Sequence, residues 1–558
     1  MSERRSFVRK VVYLCAIGLL LVPVSWLSAP ATRSSVSGQG SSGGKLARLR
    51  ADYKLSQANL GEIDPASETI KLATLGMRGI AANLLWEKAN HYKMTEDWTN
   101  FSATLEQITK LQPNFVSVWQ YQAWNLSYNV SYEFDDYRDR YYWVMRGIDF
   151  LEDGTRYNEN DPQLLWDMGW FLGYKIGRAD EHVLYRRLFK DDEEYHPADR
   201  PREMRDNWLL GKQWFRKAQY AVDNFQKEVE GRTDLIFHSY PALWQMYYAA
   251  TIESEGVFGE VARRAWATAA EDWQQFGERI IPMYDNTIVQ LGRLDYYRQE
   301  VERNHQQLNA LAPGLADAIQ SERRQRLTDA QRRVLAIPID ERSTDQRAIV
   351  NQLAAMLQVT PHQLAGRIQQ LHPEKAVEAH RLADALQHAN VVASNIERSR
   401  PDVNYDYWKM RAEFEQTDDA LLARELIHKG SEAFAAADPD LARELYEQGL
   451  QKWRAILDAY PGIVSHGITG DELMRIIEQY VRILNQNDAP IPADFPLRQF
   501  VEYHDDENRI RGLLPPVSES PDTSTDGSSE EASETDSRDG SGGEDSPPTA
   551  VRGTPPSP

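Results

Sequence analysis

Residues Asp438–Pro461 read DPDLARELYEQGLQKWRAILDAYP and contain the features that decide the fold. Apolar side chains recur mainly every three or four residues, which is the period of a helix that buries one face. The segment opens on an N-cap residue, Asp438, followed by proline at the first helical position, and it closes at Pro461. It therefore predicts one long amphipathic helix, whose buried face is expected to contain Leu441, Leu445, Leu450, Trp453 and Leu457.

The same helical period extends from Lys45 to Asp506. Thr360-Pro361 repeats the cap-and-proline start of the segment above. No stretch alternates apolar and polar residues for long enough to build a sheet. The sequence therefore predicts an all-α fold.

Helix pairs recur along this body, with a large residue early in the first helix and a proline that closes the second. The positions that fit this pattern are Tyr92, Pro113, Trp119, Pro162, Trp166, Trp244, Trp266, Trp453 and Pro461. Over roughly 80–315 and 400–490 the pattern resembles tetratricopeptide repeats in a degenerate form, because Pro113 and Pro162 are 49 residues apart and the repeat is about 34 residues long. The resemblance implies stacked helix pairs with an extended concave surface; a generic α-solenoid is the alternative.

Composition and pattern together predict six segments. They are a signal anchor or signal peptide at 1–31, a Ser/Gly linker at 32–44, a tetratricopeptide-like repeat domain at 45–315, a small helical module at 316–395, a second tetratricopeptide-like region at 396–510, and a disordered acidic tail at 511–558.

The N-terminal segment predicts export. Val11–Ala29 contains no charged residue and follows an Arg/Lys-rich start, so it is long enough to approach the thickness of a bilayer core. The positive flank is expected to stay cytoplasmic, which places the body outside the cytoplasm as a single-pass protein of the cytoplasmic membrane. Cleavage near Ala31, which would release the body, is the alternative. The stretch Leu75–Trp86 is also similar to the entry helix of exported bacterial repeat proteins.

The tail and the net charge limit the kinds of partner. Pro516–Pro558 contains ten Asp or Glu against two Arg and almost no large apolar residue, so it cannot offset the entropy lost on ordering. The whole chain has a formal net charge of −21. An acidic balance of this size disfavours general nucleic-acid binding, because polyanions are held mainly by clustered Lys and Arg.

Metal, cofactor and catalytic signatures are weak. Cys15 is the only cysteine, which excludes disulfide scaffolds and cysteine-ligated metal centres. The acidic stretches at 180–182 and 191–196 lack the glycine turn of a calcium loop and are expected to form surface ion pairs with Arg186, Arg187 and Lys190. The histidines at 372, 380 and 388 do not share one helix face. No cofactor, metal site or catalytic residue is predicted.

Residues 350–371 fit a helix–turn–helix, with Thr360-Pro361 opening the second helix. In a cytoplasmic protein this pattern would suggest DNA binding. The second helix offers Arg367 as its one cation, so a small helical packing module is the favoured interpretation and no nucleic-acid partner is predicted.

Tryptophan is concentrated in one half of the chain, since twelve of the fifteen lie between Trp86 and Trp273. One interpretation is that they fill wide gaps between imperfect repeats. The other is that they line a concave groove for a peptide or a glycan.

Three functional hypotheses follow. The first is a non-catalytic, membrane-tethered extracytoplasmic scaffold that mediates protein–protein interaction. The second is an exported hydrolase or glycan-binding protein with an aromatic-lined α/α cleft, which needs two carboxylates facing each other. The third is a DNA-binding regulator that uses the 350–371 segment.

Overall fold

A computed structural model describes residues 78–225, 227–283 and 287–516. The predicted membrane segment at 11–29, its cleavage site near Ala31, the linker at 32–44 and the tail from 517 onward lie outside the described residues. Among the described residues, no helix is both long enough and apolar enough to cross a membrane.

The described chain is almost entirely helical, so the predicted all-α class is confirmed. Its single sheet is an antiparallel pair of two-residue strands, β1 (Ile281–Pro282) and β2 (Ile288–Val289), in which Ile281 lies opposite Val289. Two such strands bury too little surface to form a layer of their own.

The chain divides into two compact units. The first extends to Tyr248 and includes Arg279–Gln290, and the second comprises Ala249–Glu278 and the chain from Leu291 onward. The predicted boundaries at 315, 395 and 510 stay predictions.

Helices of the first unit follow one another with short connections. They are α1 (Arg78–Met94), α2 (Trp98–Leu111), α3 (Val116–Trp124), α4 (Tyr137–Tyr157), α5 (Pro162–Phe171), α6 (His182–Asp191), α7 (Asn207–Phe225) and α8 (Asp234–Ser254), of which α8 continues into the second unit. Short 3₁₀ turns occur at Ser131–Glu133 and Arg202–Met204.

Two helices of the first unit continue as π-helix rather than ending. After α3 the segment Asn125–Val130 is π-helical, and after α5 so is Leu172–Ile176. A π-helical turn widens the helix and changes the direction in which its side chains point, and such turns are frequent at functional sites. Both segments carry residues of the surface described below.

Packing in the first unit is aromatic. The helix α5 packs against α4 and α7, and its glycines allow close approach. A Cβ atom on Gly173 would lie 2.5 Å from Nε1 of Trp244 and nearer still to two of the ring carbons, so the indole packs directly on the backbone of the π-helical segment. Only glycine fits at that position.

Helices of the second unit complete the described chain. They are α9 (Glu260–Glu278), α10 (Leu294–Leu311), α11 (Leu315–Gln325), α12 (Asp329–Ala336), α13 (Thr344–Leu357), α14 (Pro361–Leu371), α15 (Ala376–Ser399), α16 (Tyr405–Glu415), α17 (Asp418–Ala435), α18 (Pro439–Ala459), α19 (Gly467–Gln486) and α20 (Arg498–His504). The second unit also contains five 3₁₀ turns, at Leu291–Arg293, Pro373–Lys375, Pro401–Val403, Pro461–Ile463 and Arg511–Leu513.

The decisive segment of the sequence forms α18 as predicted. The side chain of Asp438 accepts a hydrogen bond from the Leu441 backbone N–H at 3.1 Å, and Pro439 is the first helical residue. The buried face differs from the prediction, because Leu441 is 45 % exposed and the helix buries Ala442, Tyr446 and Gly449 beside Leu450, Trp453 and Leu457. The predicted helical period of α18 is therefore confirmed, but its buried face is rotated toward α17 relative to the prediction.

Close crossing explains that rotation. A Cβ atom on Gly430 of α17 would lie 2.5 Å from the Tyr446 ring, and one on Gly449 of α18 would lie 2.8 Å from Cδ1 of Ile427. Each helix therefore places a glycine against a large side chain of the other.

Candidate functional site

A continuous series of stacked rings lies along α3, α5 and their π-helical extensions. Trp124 and Tyr128, four residues apart, stack at 5.9 Å between ring centroids and 16° between planes. Tyr128 in turn stacks on Trp170 at 5.9 Å, and Trp170 stacks on Tyr174, again four residues on, at 4.8 Å. All four rings are half-buried, so each keeps part of its surface in contact with solvent.

The series reaches α8 through Trp244, whose ring centroid lies 5.8 Å from Tyr174 and 5.7 Å from Tyr247. Trp244 is fully buried and Tyr247 is half-buried. The name aromatic row is used below for the half-buried rings alone, Trp124, Tyr128, Trp170, Tyr174 and Tyr247.

Two cations lie on the faces of these rings. The Lys175 Nζ atom is 3.6 Å from the centroid of the Tyr128 ring. The Arg178 guanidinium lies 5.4 Å from the Tyr174 centroid and 5.2 Å from that of Tyr247, and its Nη1 donates to the Tyr247 hydroxyl at 3.2 Å. The negative π-face of an aromatic ring attracts a cation, more strongly where water is excluded.

Burial changes the acid–base properties of this surface. Loss of hydration lowers the pKa of Lys175 to about 8, although the nearby Glu181 carboxylate opposes the shift. Loss of hydration, followed by the neighbouring Tyr174, raises the pKa of Tyr128 well above its usual value. Lys175 is therefore a partly dehydrated ammonium group held by rings.

A polar cluster lies beside Trp166 on the same helix, α5. The Asp167 carboxylate accepts from Gln120 Nε2 at 2.6 Å and from Arg232 Nη2 at 3.1 Å, and the Arg232 guanidinium lies 3.7 Å from the Trp166 ring centroid. Burial raises the pKa of Asp167, while the charge of Arg232 opposes that rise. Unlike Lys175, Arg232 has a carboxylate partner.

The nine predicted repeat positions lie elsewhere. Trp119, Trp166, Trp244, Trp266 and Trp453 are 0–5 % exposed, Tyr92 is half-buried, and Pro113, Pro162 and Pro461 lie at helix boundaries. Trp119 Nε1 donates to the Pro113 carbonyl at 2.8 Å, and Trp244 Nε1 donates to the Gly169 carbonyl at 3.2 Å. These tryptophans are therefore part of the core.

Sequence reasoning missed the aromatic row. The available signal was the four-residue spacing of Trp124 and Tyr128, repeated by Trp170 and Tyr174. That spacing marks one helix face, although it does not distinguish a solvent-facing row from a core seam.

The second unit contains a different cluster, named here the ionic network: Glu253, Arg411, Glu415, Arg424 and Glu472. Arg424 donates to Glu415 Oε2 at 2.6 Å and to Glu472 Oε1 at 2.8 Å. Arg411 donates to the same two carboxylates, to Glu415 Oε1 at 3.2 Å and to Glu472 Oε2 at 2.7 Å. Two arginines thus share two glutamates on α16, α17 and α19.

Glu253 is the fifth member and has a different protonation state. It is 4 % exposed and accepts from Trp266 Nε1 at 3.0 Å, while its other oxygen is 3.5 Å from Arg424 Nε. Burial raises the pKa of Glu253 to about 8 despite the attraction of Arg424. For Glu472, burial works against ionisation, but Arg411 and Arg424 prevail and lower its pKa to about 2. With Glu253 protonated, the positive charges of the two arginines are balanced by the negative charges of the two other glutamates.

Other sequence predictions have clear outcomes. Arg186 was expected in a surface ion pair, which is wrong: it is 2 % exposed and donates to Asp206 at 2.8 Å. Asp191 does form an exposed pair, with Arg202 at 2.6 Å.

Within the described residues, no group of three or more His, Cys, Asp or Glu side chains is arranged to hold a metal ion.

The predicted helix–turn–helix segment forms α13 and α14, and Thr360 caps α14 as expected. Arg323 of α11 donates to the Gln358 carbonyl at 2.7 Å and to Gln363 Oε1 at 2.8 Å. Arg326 pairs with Glu322 at 2.5 Å. These arginines therefore make contacts with residues of the second unit.

A shallow surface depression of about 410 Å³ in the second unit is lined by Arg454, Phe495, Pro496 and Arg498, among others. Arg454 pairs with Asp458 at 2.9 Å, and Arg498 lies 3.6 Å from Glu502. Its cations are thus already compensated, which leaves the aromatic row as the stronger candidate for binding.

Comparison with models of known protein families finds no match to this chain, and comparison with curated proteins finds none either.

Proposed function

We propose that this protein is a non-catalytic scaffold of tetratricopeptide-like helix pairs that binds other proteins through the aromatic row. Residues 11–29 tether it to the cytoplasmic membrane, and the helical body lies on the extracytoplasmic side. The single observation that carries the proposal is the aromatic row itself, in which half-buried rings and two cations occur together along α3, α5, α8 and the two π-helical segments. Aromatic and arginine side chains are the residue types most enriched in protein-binding surfaces.

The crossing of α17 and α18 supports the repeat interpretation. Tetratricopeptide helices cross closely because small residues occupy the crossing points, and Gly430 and Gly449 have this role here. The N-terminal cap at Asp438 and the turn beginning at Pro461 bound the second helix of that pair.

The runner-up function, an exported glycan-binding protein, draws on the same rings. Flat, half-exposed aromatic faces also pack against sugar rings, so the aromatic row favours this candidate as well. It differs from the first in its ligand, which makes the two separable by experiment.

Site-directed photocrosslinking in intact membranes tests the proposal. A photoreactive phenylalanine derivative at Tyr174 is expected to capture a discrete partner protein. The matched control places it at Tyr220, which is 58 % exposed on α7 and lies outside the aromatic row. Equal capture at both positions, or capture of glycan but no protein at Tyr174, would contradict the scaffold function.

Topology needs its own measurement. A reporter that is active only outside the cytoplasm, fused after residue 45, is expected to give a signal. Activity of a cytoplasm-specific reporter at the same point would contradict the proposed location and revive the DNA-binding hypothesis.

A further inference from the structure

Lys175 is a half-buried cation without a counter-ion. Its side chain lies among the rings of the aromatic row, with Nζ 3.6 Å from the Tyr128 centroid. No carboxylate of the described residues lies within ion-pair distance of Nζ, since the nearby Glu181 pairs with Arg140 instead. A charge that loses hydration without gaining a partner is destabilised.

Arg178 repeats this arrangement three residues further along. It is exposed and lies over Tyr174 and Tyr247, and it donates a hydrogen bond to the Tyr247 hydroxyl rather than to a carboxylate. The two cations and the rings beneath them therefore form a patch of positive charge with apolar walls.

Another lysine on a ring shows what is particular to Lys175. Lys217 Nζ lies 3.8 Å from the Trp214 ring centroid, but Lys217 is exposed, whereas Lys175 is half-buried. Burial lowers the pKa of both lysines, and that of Lys175 to about 8. A ring face under a lysine is therefore common to both sites, and the two sites differ in how exposed the lysine is.

We propose, resting on the proposed function, that the aromatic row binds an acidic peptide segment of a partner protein. A side-chain carboxylate of the segment pairs with the Lys175 ammonium, and Arg178 attracts a second. Apolar side chains of the segment pack on the half-buried rings of Trp124 and Trp170. Such a ligand supplies the counter-ion that Lys175 lacks, and it matches the patch in both charge and polarity.

A peptide fits this patch better than a polyanion. The chain as a whole repels nucleic acid, because its charge has the same sign. A peptide carries few carboxylates and can place apolar groups between them. It is therefore attracted to the two cations of the patch, and the acidic remainder of the chain repels it less than it would repel a polyanion.

Fluorescence anisotropy with the full-length protein in detergent tests the inference. The probe is a fluorescein-labelled peptide of alternating glutamate and phenylalanine between glycines, and the comparison is its glutamine analogue. The acidic peptide is expected to bind at least about tenfold more tightly, which corresponds to one charge-assisted hydrogen bond. The preference should weaken with added salt.

Variants assign the effect to the patch. Lys175→Met is expected to abolish the preference for the acidic peptide, Lys175→Arg to retain most of it, and Arg178→Met to reduce it. Lys217→Met is the matched control and should leave the preference unchanged. Because Arg178 is exposed, its variant remains informative even if Lys175→Met fails to fold.

Equal affinity for the two peptides would overturn the inference, as would a preference that survives both Lys175→Met and Arg178→Met. Binding of polygalacturonate in place of the peptide would assign the patch to an acidic glycan and also overturn it. If photocrosslinking at Tyr174 still captures a protein in these cases, the scaffold function stands and only the ligand class is wrong.

Discussion

The aromatic row of the first unit and the ionic network of the second are two ways of holding cations away from water. In the ionic network, Arg411 and Arg424 each donate to two carboxylates, so their charges are balanced inside the protein. At the aromatic row, by contrast, Lys175 lies on the face of the Tyr128 ring and, within the part of the chain that the structure describes, has no carboxylate within ion-pair distance. A balanced cluster needs no further partner, whereas an unbalanced one can gain from a ligand, so the difference separates a structural cluster from a binding surface.

The largest effect is expected when the balance of the ionic network is broken. Arg424→Met leaves Glu415 and Glu472 without one of their two arginines, and Glu415 is fully buried. Removing one partner of a buried ion pair is expected to lower the free energy of unfolding by about 3–5 kcal/mol. Denaturant titration of the variant and the wild type measures this change in the free energy of unfolding.

Arg443→Met provides the control for that measurement. Arg443 forms a pair with Glu447 in which both side chains are 40 % exposed, so a loss below about 1 kcal/mol is expected. Similar losses for Arg424→Met and Arg443→Met would mean that the ionic network does not hold the second unit together.

The next effect concerns the packing behind the aromatic row. Gly173→Ala places a methyl group against the buried Trp244 ring, which has no room to move, and a loss of about 1–3 kcal/mol is expected. Gly366→Ala on α14 is the control, because no atom lies within 4 Å of its added Cβ and alanine favours a helix. A destabilisation no greater than that of Gly366→Ala would show that the close contact between the π-helical segment after α5 and Trp244 is not required.

A third prediction concerns pH. Glu253 has a pKa near 8 in the folded chain and about 4.5 unfolded, so the folded state holds a proton between these values. Its contribution to stability is present below pH 4.5 and is lost as the pH rises through 8. Glu472 behaves in the opposite way, since its pKa falls to about 2 and its contribution is lost as the pH falls from 4.5 toward 2.

The variant Glu253→Gln isolates the contribution of Glu253 to the pH dependence of stability. The variant cannot ionise at this position, so its free energy of unfolding should fall less steeply with rising pH than that of the wild type between pH 5 and 8. The two slopes should differ by up to about 1.4 kcal/mol per pH unit. Denaturant titrations at several pH values measure both slopes. Parallel profiles for the two proteins would rule out a neutral Glu253 in the network.

The smallest effect on stability is expected at Lys175. Methionine keeps the length and the contact with Tyr128 while removing an uncompensated charge, so Lys175→Met should stay within about 1 kcal/mol of the wild type in thermal melts. A loss as large as that of Arg424→Met would remove the contrast between the two regions.

Local features were predictable from sequence because they depend on neighbours along the chain. Asp438-Pro439 and Thr360-Pro361 cap helices where expected, since a short side chain reaches the N–H groups of the next turn. The burial of Trp119, Trp166 and Trp244 also followed from their size and their place in a helical period.

The helical period by itself determined the all-α class and the existence of individual helices, because an apolar residue every third or fourth position can be buried only on a helix face. It did not determine which neighbour covers that face, and so Leu441 was assigned to the buried side although it is 45 % exposed. Tertiary packing alone decided that Trp124 and Trp170 remain half-buried and that Lys175 lies on Tyr128. It also brought Arg424 close to Glu253 and Glu472, which are far from it in sequence. Charges attract or repel according to distance in space, and only the folded chain sets those distances.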